Sequence, residues 1–121
     1  MTFGFEELQV YRKSLDFAAR IVKTAEEISS SRKHYRIIEQ LEAACTSIAL
    51  NIAEGKGRYS KKEFKHYLYI ARGSLYETLA LLDLFKQLGW IPIESFQGFY
   101  HQAEEINRML SGLINSLAEK K

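Results

Sequence analysis

Ser47-Ile48-Ala49-Leu50-Asn51-Ile52-Ala53-Glu54-Gly55-Lys56-Gly57-Arg58-Tyr59-Ser60 closes one helix, turns, and opens another. Ile48 and Ile52 stand four apart, as one face of a helix requires. Gly55 and Gly57 predict the helix end, because glycine adopts the left-handed backbone found at many helix C-termini. Ser60-Lys61-Lys62-Glu63 then reads as a capping box. The Ser60 hydroxyl accepts from the Glu63 amide, and the Glu63 side chain reaches back to the Ser60 amide.

Outward from this turn, apolar residues recur in steps of three and four, and no run shows strand-like alternation. The spacing predicts a first helix over residues 5–28, with Leu8, Tyr11, Leu15, Ala18, Val22 and Ala25 as its stripe. Residues 29–33 form a break. A second helix over 35–54 carries Ile38, Leu41, Cys45, Ile48 and Ile52. A third, from Ser60, carries Phe64, Leu68, Ala71, Leu75, Thr78, Leu82 and Phe85. Gly89-Trp90-Ile91-Pro92 breaks the chain, and proline suits the first turn of a helix. A fourth helix carries Phe96, Phe99, Ala103, Ile106, Leu110, Leu113 and Leu117. A mean step of about 3.5 implies left-handed supercoiling, and short connections imply antiparallel neighbours. The expected fold is an all-α, up-down-up-down four-helix bundle in a single domain, 1–121.

Helix three has further apolar residues beside its stripe (Tyr67, Ile70, Leu81, Leu84, Leu88), and helix one has Val10, Phe17 and Ile21. So wide an apolar arc predicts burial on two sides and hence a homo-oligomer; a somewhat larger core is the alternative.

Composition bounds the rest. The 121 residues are 46% hydrophobic and 26% charged, as in ordinary globular proteins. No apolar run approaches the roughly 18 residues of a membrane span, and residues 1–7 lack a basic-then-apolar signal. Cys45 stands alone and has no disulfide partner. A cytoplasmic location without membrane contact is expected.

The net charge of +2 is unevenly placed. Residues 56–72 hold six Lys/Arg against the single acid Glu63, while the remainder of the chain is mildly acidic. Lys56, Arg58, Lys61, Lys62, Lys65 and Arg72, with Tyr59, Tyr67 and Tyr69 among them, are candidate contacts to the phosphates and bases of RNA or DNA. A solvated helix face is the competing reading.

Ser47, Asn51 and Glu54 form a polar stripe beside the core of helix two, and Gly73, Ser74 and Glu77 sit within helix three. Asn51, Glu54, Arg58, Ser74 and Glu77 are expected in a polar network at a helix or subunit contact, since buried carboxylates need partners. Simple exposure is the alternative. Gly73 is expected to admit another backbone at close range, because glycine inside a helix costs about 1 kcal/mol.

No enzyme chemistry converges. Glu63-x-x-His66 has the spacing of a di-iron motif but lacks its second copy. His34, His66 and His101 fall on different elements, and Cys45 lies on a core stripe. Gly55-Lys56-Gly57-Arg58 lacks the preceding strand and Gly-Lys-Ser/Thr ending of a phosphate loop. No metal or cofactor is expected.

The chain resembles the four-helix-bundle proteins encoded by intervening sequences in bacterial 23S ribosomal RNA genes. Their pattern is similar at Ser47, Ile48, Asn51, Ile52, Ala53, Glu54, Gly55, Gly57 and Arg58. It is similar again at Ser60, Glu63 and Phe64, and at Leu68, Ile70, Ala71, Gly73, Ser74, Leu75 and Glu77. The opening Phe5-Glu6-Glu7-Leu8-Gln9-Val10-Tyr11 also fits. The resemblance implies a cytoplasmic bacterial bundle in a ring-shaped homopentamer without known catalysis. The accessory variability determinant of diversity-generating retroelements looks like a distant relative, and that likeness implies binding of nucleic acid and a protein partner. One departure stands out. Many members carry a basic pair and a proline on the approach to Ser-Ile, where this chain has Leu41-Glu42 and Ala49. The missing cations weaken the nucleic-acid implication.

Overall fold

A computed structural model describes residues 3–29 and 34–118. Most of the predicted break at 29–33 lies outside them. Helices α1 (Gln9–Ser29), α2 (Tyr35–Lys56), α3 (Lys61–Gln87) and α4 (Ile93–Ser116) follow a 3-10 turn at Gly4–Glu7. There is no strand among the described residues. Each helix packs on two others: α1 on α2 and α4, α3 on α2 and α4, with the α2–α3 contact the most extensive. The arrangement is consistent with a four-helix bundle.

Every residue of the predicted α2 and α3 stripes is buried, and α4 buries Phe99, Ala103, Ile106 and Leu110 of its own. Helix α1 differs in phase. Val10, Ser14, Phe17, Ala18, Ile21, Ala25 and Ile28 face the core, whereas Leu15 is 48% exposed. The predicted stripe lies largely on the core: Ala18 and Ala25 are buried and Leu8, Tyr11 and Val22 pack against it, but the fully buried large residues, Phe17 and Ile21, stand beside it and Leu15 falls outside. Ser14 interrupts the core stripe in sequence, yet it is buried, with its hydroxyl unpartnered among the described residues. Val10, Phe17 and Ile21 are therefore spent on the core and offer no second face.

The first helix also starts later than expected. Residues 4–7 turn instead, because the Glu6 carboxylate accepts from the Phe3 amide at 2.9 Å, and Leu8 is extended. Ser60 does cap α3, accepting from the Glu63 amide at 3.1 Å. The Glu63 carboxylate returns to the Ser60 hydroxyl at 3.3 Å rather than to its amide. Pro92 is the residue before α4, with its carbonyl accepting from Phe96 at 3.2 Å.

The glycines exchange their expected roles. Gly55 does not end α2 with a left-handed turn; it is helical and buried, and Gly57 has a right-handed φ of −79°. Only Gly89, at φ 77°, takes positive φ among the described residues. A Cβ on Gly55 would lie 2.6 Å from the Tyr67 Cβ and 3.3 Å from the Phe64 carbonyl, so Gly55 lets α2 and α3 approach. Gly73, expected to admit another backbone at close range, is exposed, and a Cβ there meets nothing of its own chain within 4 Å among the described residues. The two should respond oppositely to alanine in urea unfolding. Gly55→Ala is expected to cost about 1–3 kcal/mol through overpacking, and Gly73→Ala to add about 0.5–1 kcal/mol. Equal effects would contradict this packing.

Candidate nucleic-acid interface

The α2–α3 turn gathers the basic segment at one end of the molecule. Lys56 ends α2, Lys61 and Lys62 open α3, and Lys65 follows one turn later. None of the four has an ion pair among the described residues. The Lys56 ammonium lies 5.7 Å from the Phe64 ring centre. Tyr59, between the helices, is fully exposed. Uncompensated cations beside a free ring are what a nucleic-acid backbone and its bases recognise.

The two arginines are more engaged. Arg58 bridges to the Glu54 carboxylate at 3.0 Å, donates to the Tyr67 hydroxyl at 2.6 Å, and lies 4.8 Å from the Tyr67 ring centre. Tyr67 is thereby held against the protein and is not free to stack on a ligand. Arg72 donates to the Ser111 hydroxyl on α4 at 3.2 Å and lies over the half-exposed Tyr69.

The polar residues separate into three groups. Asn51 donates to the Ser47 carbonyl and hydroxyl, each at 2.8 Å, and the Ser47 hydroxyl shares a 2.9 Å hydrogen bond with Ser74. Glu54 belongs with Arg58, and Glu77 accepts from Gln40 at 3.2 Å. Glu54 and Glu77 thus hold different partners within one chain. Ser47–Ser74 and Gln40–Glu77 tie α2 to α3 along the side of the bundle.

Residues 3–5, missed at the sequence level, also belong to this end. The 3-10 turn packs on α1 and α2 and closes a surface cleft of about 400 Å³ with the end of α2. The available signal was Phe3-Gly4-Phe5, two aromatics flanking a glycine and lying off the apolar stripe predicted for the first helix.

No three His, Cys, Asp or Glu side chains among the described residues group as metal ligands would. Cys45 is fully buried, and burial, with the Glu42 charge second, pushes its thiol from 9.0 up to about 11. A raised folded value gives stability that is complete below pH 9 and is lost as pH rises towards 11. Over that window the wild type is expected to lose up to about 2–3 kcal/mol more than Cys45→Ala in urea unfolding. Parallel pH profiles would contradict it.

The pattern of the 23S rRNA-intervening sequence protein family matches residues 6–112. The chain belongs to that family. A crystal structure of a protein of unknown function from the S23 ribosomal protein family of Bacteroides thetaiotaomicron is 31% identical. It matches over 87% of this chain and 97% of its own, with a TM-score of 0.82. No curated protein matches the chain. No helix among the described residues is long and apolar enough to cross a membrane.

Proposed function

We propose that this member of the 23S rRNA-intervening sequence protein family is a non-enzymatic, homo-oligomeric bundle that binds RNA or DNA. The carrying observation is the group Lys56, Lys61, Lys62 and Lys65, unpaired among the described residues beside the exposed Tyr59. Arg58 and Arg72 extend that surface while bracing Tyr67 and Tyr69. Partner order supports an antiparallel α2 and α3: from Gln40 to Ser47 on one helix, partners fall from Glu77 to Ser74 on the other.

Self-association draws its support from α3. Tyr69, Gly73, Tyr76, Ala80 and Leu84 recur on one outward face, and all are exposed. An apolar strip of this kind marks an interaction surface. A ring of five subunits, as the family resemblance implies, would repeat the basic end around one axis and strengthen its field. The same strip favours a second reading, a scaffold for a protein partner without nucleic acid.

Titration of labelled RNA and DNA by fluorescence anisotropy tests the first reading. Four phosphates neutralised per subunit predict a log–log salt slope of roughly −3 to −4. Binding that ignores salt, or no binding at low salt, would overturn it.

A further inference from the structure

The cleft beside the 3-10 turn has the parts of a nucleotide subsite. Phe3, Gly4, Phe5, Lys56 and Arg58 are among its lining residues. Its volume of about 400 Å³ lies near the small end of ligand pockets. Phe3 leaves two thirds of its surface in water and stacks on Phe5 at 17° between planes, with ring centres 6.1 Å apart. Phe5 is itself set edge-on against Tyr11 at 5.0 Å.

This platform is anchored rather than loose. The Phe3 amide donates to the Glu6 carboxylate at 2.9 Å, its carbonyl accepts from the Glu6 amide at 3.0 Å, and Arg12 donates to the Glu6 carbonyl at 3.3 Å. The Lys56 stem lies along the turn at Gly4, where a Cβ would make an ordinary contact of 3.4 Å with its Cε. Glu54 also lines the cleft, but Arg58 offsets its charge at 3.0 Å. Among the described residues, the uncompensated charge in the cleft is that of Lys56. An exposed aromatic ring held beside a free cation suits a base and its phosphate.

We propose that this cleft binds one unpaired nucleotide of a single strand, with the base stacked on Phe3 and the phosphate held by Lys56. The inference rests on the nucleic-acid reading above and adds a preference for single strands. Bases within a duplex have both faces covered by their neighbours and cannot offer one to Phe3.

The test is anisotropy at low salt with a short labelled single strand and a duplex of the same sequence, using the full chain. Phe3→Ala removes an exposed ring and should leave the core intact. It is expected to weaken single-strand binding about 5- to 100-fold, to leave duplex binding within about twofold, and to keep the salt slope unchanged. Phe3→Tyr is expected to retain wild-type affinity. If Phe3→Ala binds the strand as wild type does, while reversal of Lys61 and Lys65 still weakens binding, the subsite is refuted and the basic interface stands. If the wild type binds neither strand nor duplex, both fail. If a free mononucleotide binds as tightly as the strand, the assignment to a strand is wrong.

Discussion

Phe17→Ala is expected to destabilise the protein by about 3–5 kcal/mol, while Leu15→Ala changes stability by less than about 0.5 kcal/mol. Phe17 is fully buried and meets Phe99 of α4 edge-to-face at 6.2 Å between ring centres. Truncating it removes a large apolar surface and leaves a cavity that surrounding helices fill only in part. Leu15, half exposed on the other side of α1, has little to lose. Urea unfolding of both variants reads the phase of α1 directly. Comparable losses, or a larger loss at Leu15, would contradict the placement of Phe17 in the core and of Leu15 at its edge.

Reversing two cations should have the largest effect on binding. Lys61→Glu with Lys65→Glu is expected to lower nucleic-acid affinity at least tenfold at low salt and to reduce the salt slope by about two. Neither lysine has an ion pair among the described residues, and both lie on the first turns of α3, so the change acts on the ligand rather than on the fold. Two acids near the α3 N-terminus also suit the helix dipole. Thermal unfolding should therefore stay close to wild type. Weakening should be similar across sequences, because phosphate contacts carry no base information. An unchanged salt slope would place the contacts elsewhere.

The sequence made helices α2, α3 and α4 legible for a physical reason: each has one dominant apolar stripe, and glycine, serine or proline marks the breaks. Helix α1 was half legible. Its core stripe includes Ser14, and a buried serine looks like a surface residue in a hydropathy pattern. The glycines misled in the same way. Composition says that Gly55 and Gly73 relieve something, but only packing says what. Gly55 faces Tyr67 and Phe64, whereas Gly73 faces no part of its own chain. At the candidate interface the lysines were legible from charge clustering alone. Arg58 and Arg72 were not separable from them, because their engagement depends on Tyr67 and Ser111 lying across the helix contacts. The cleft was hidden because Phe3 and Lys56 are distant in sequence and come to line one cleft only through the 3-10 turn.

The most direct measurement is light scattering after size exclusion, with and without a mixed RNA and DNA pool, at low and moderate salt. The expected result is a particle of several subunits that gains mass with nucleic acid at low salt and loses the gain at moderate salt. An oligomer that ignores the pool would contradict the nucleic-acid function and favour a protein partner on the outward face of α3. A monomer would contradict the homo-oligomer itself.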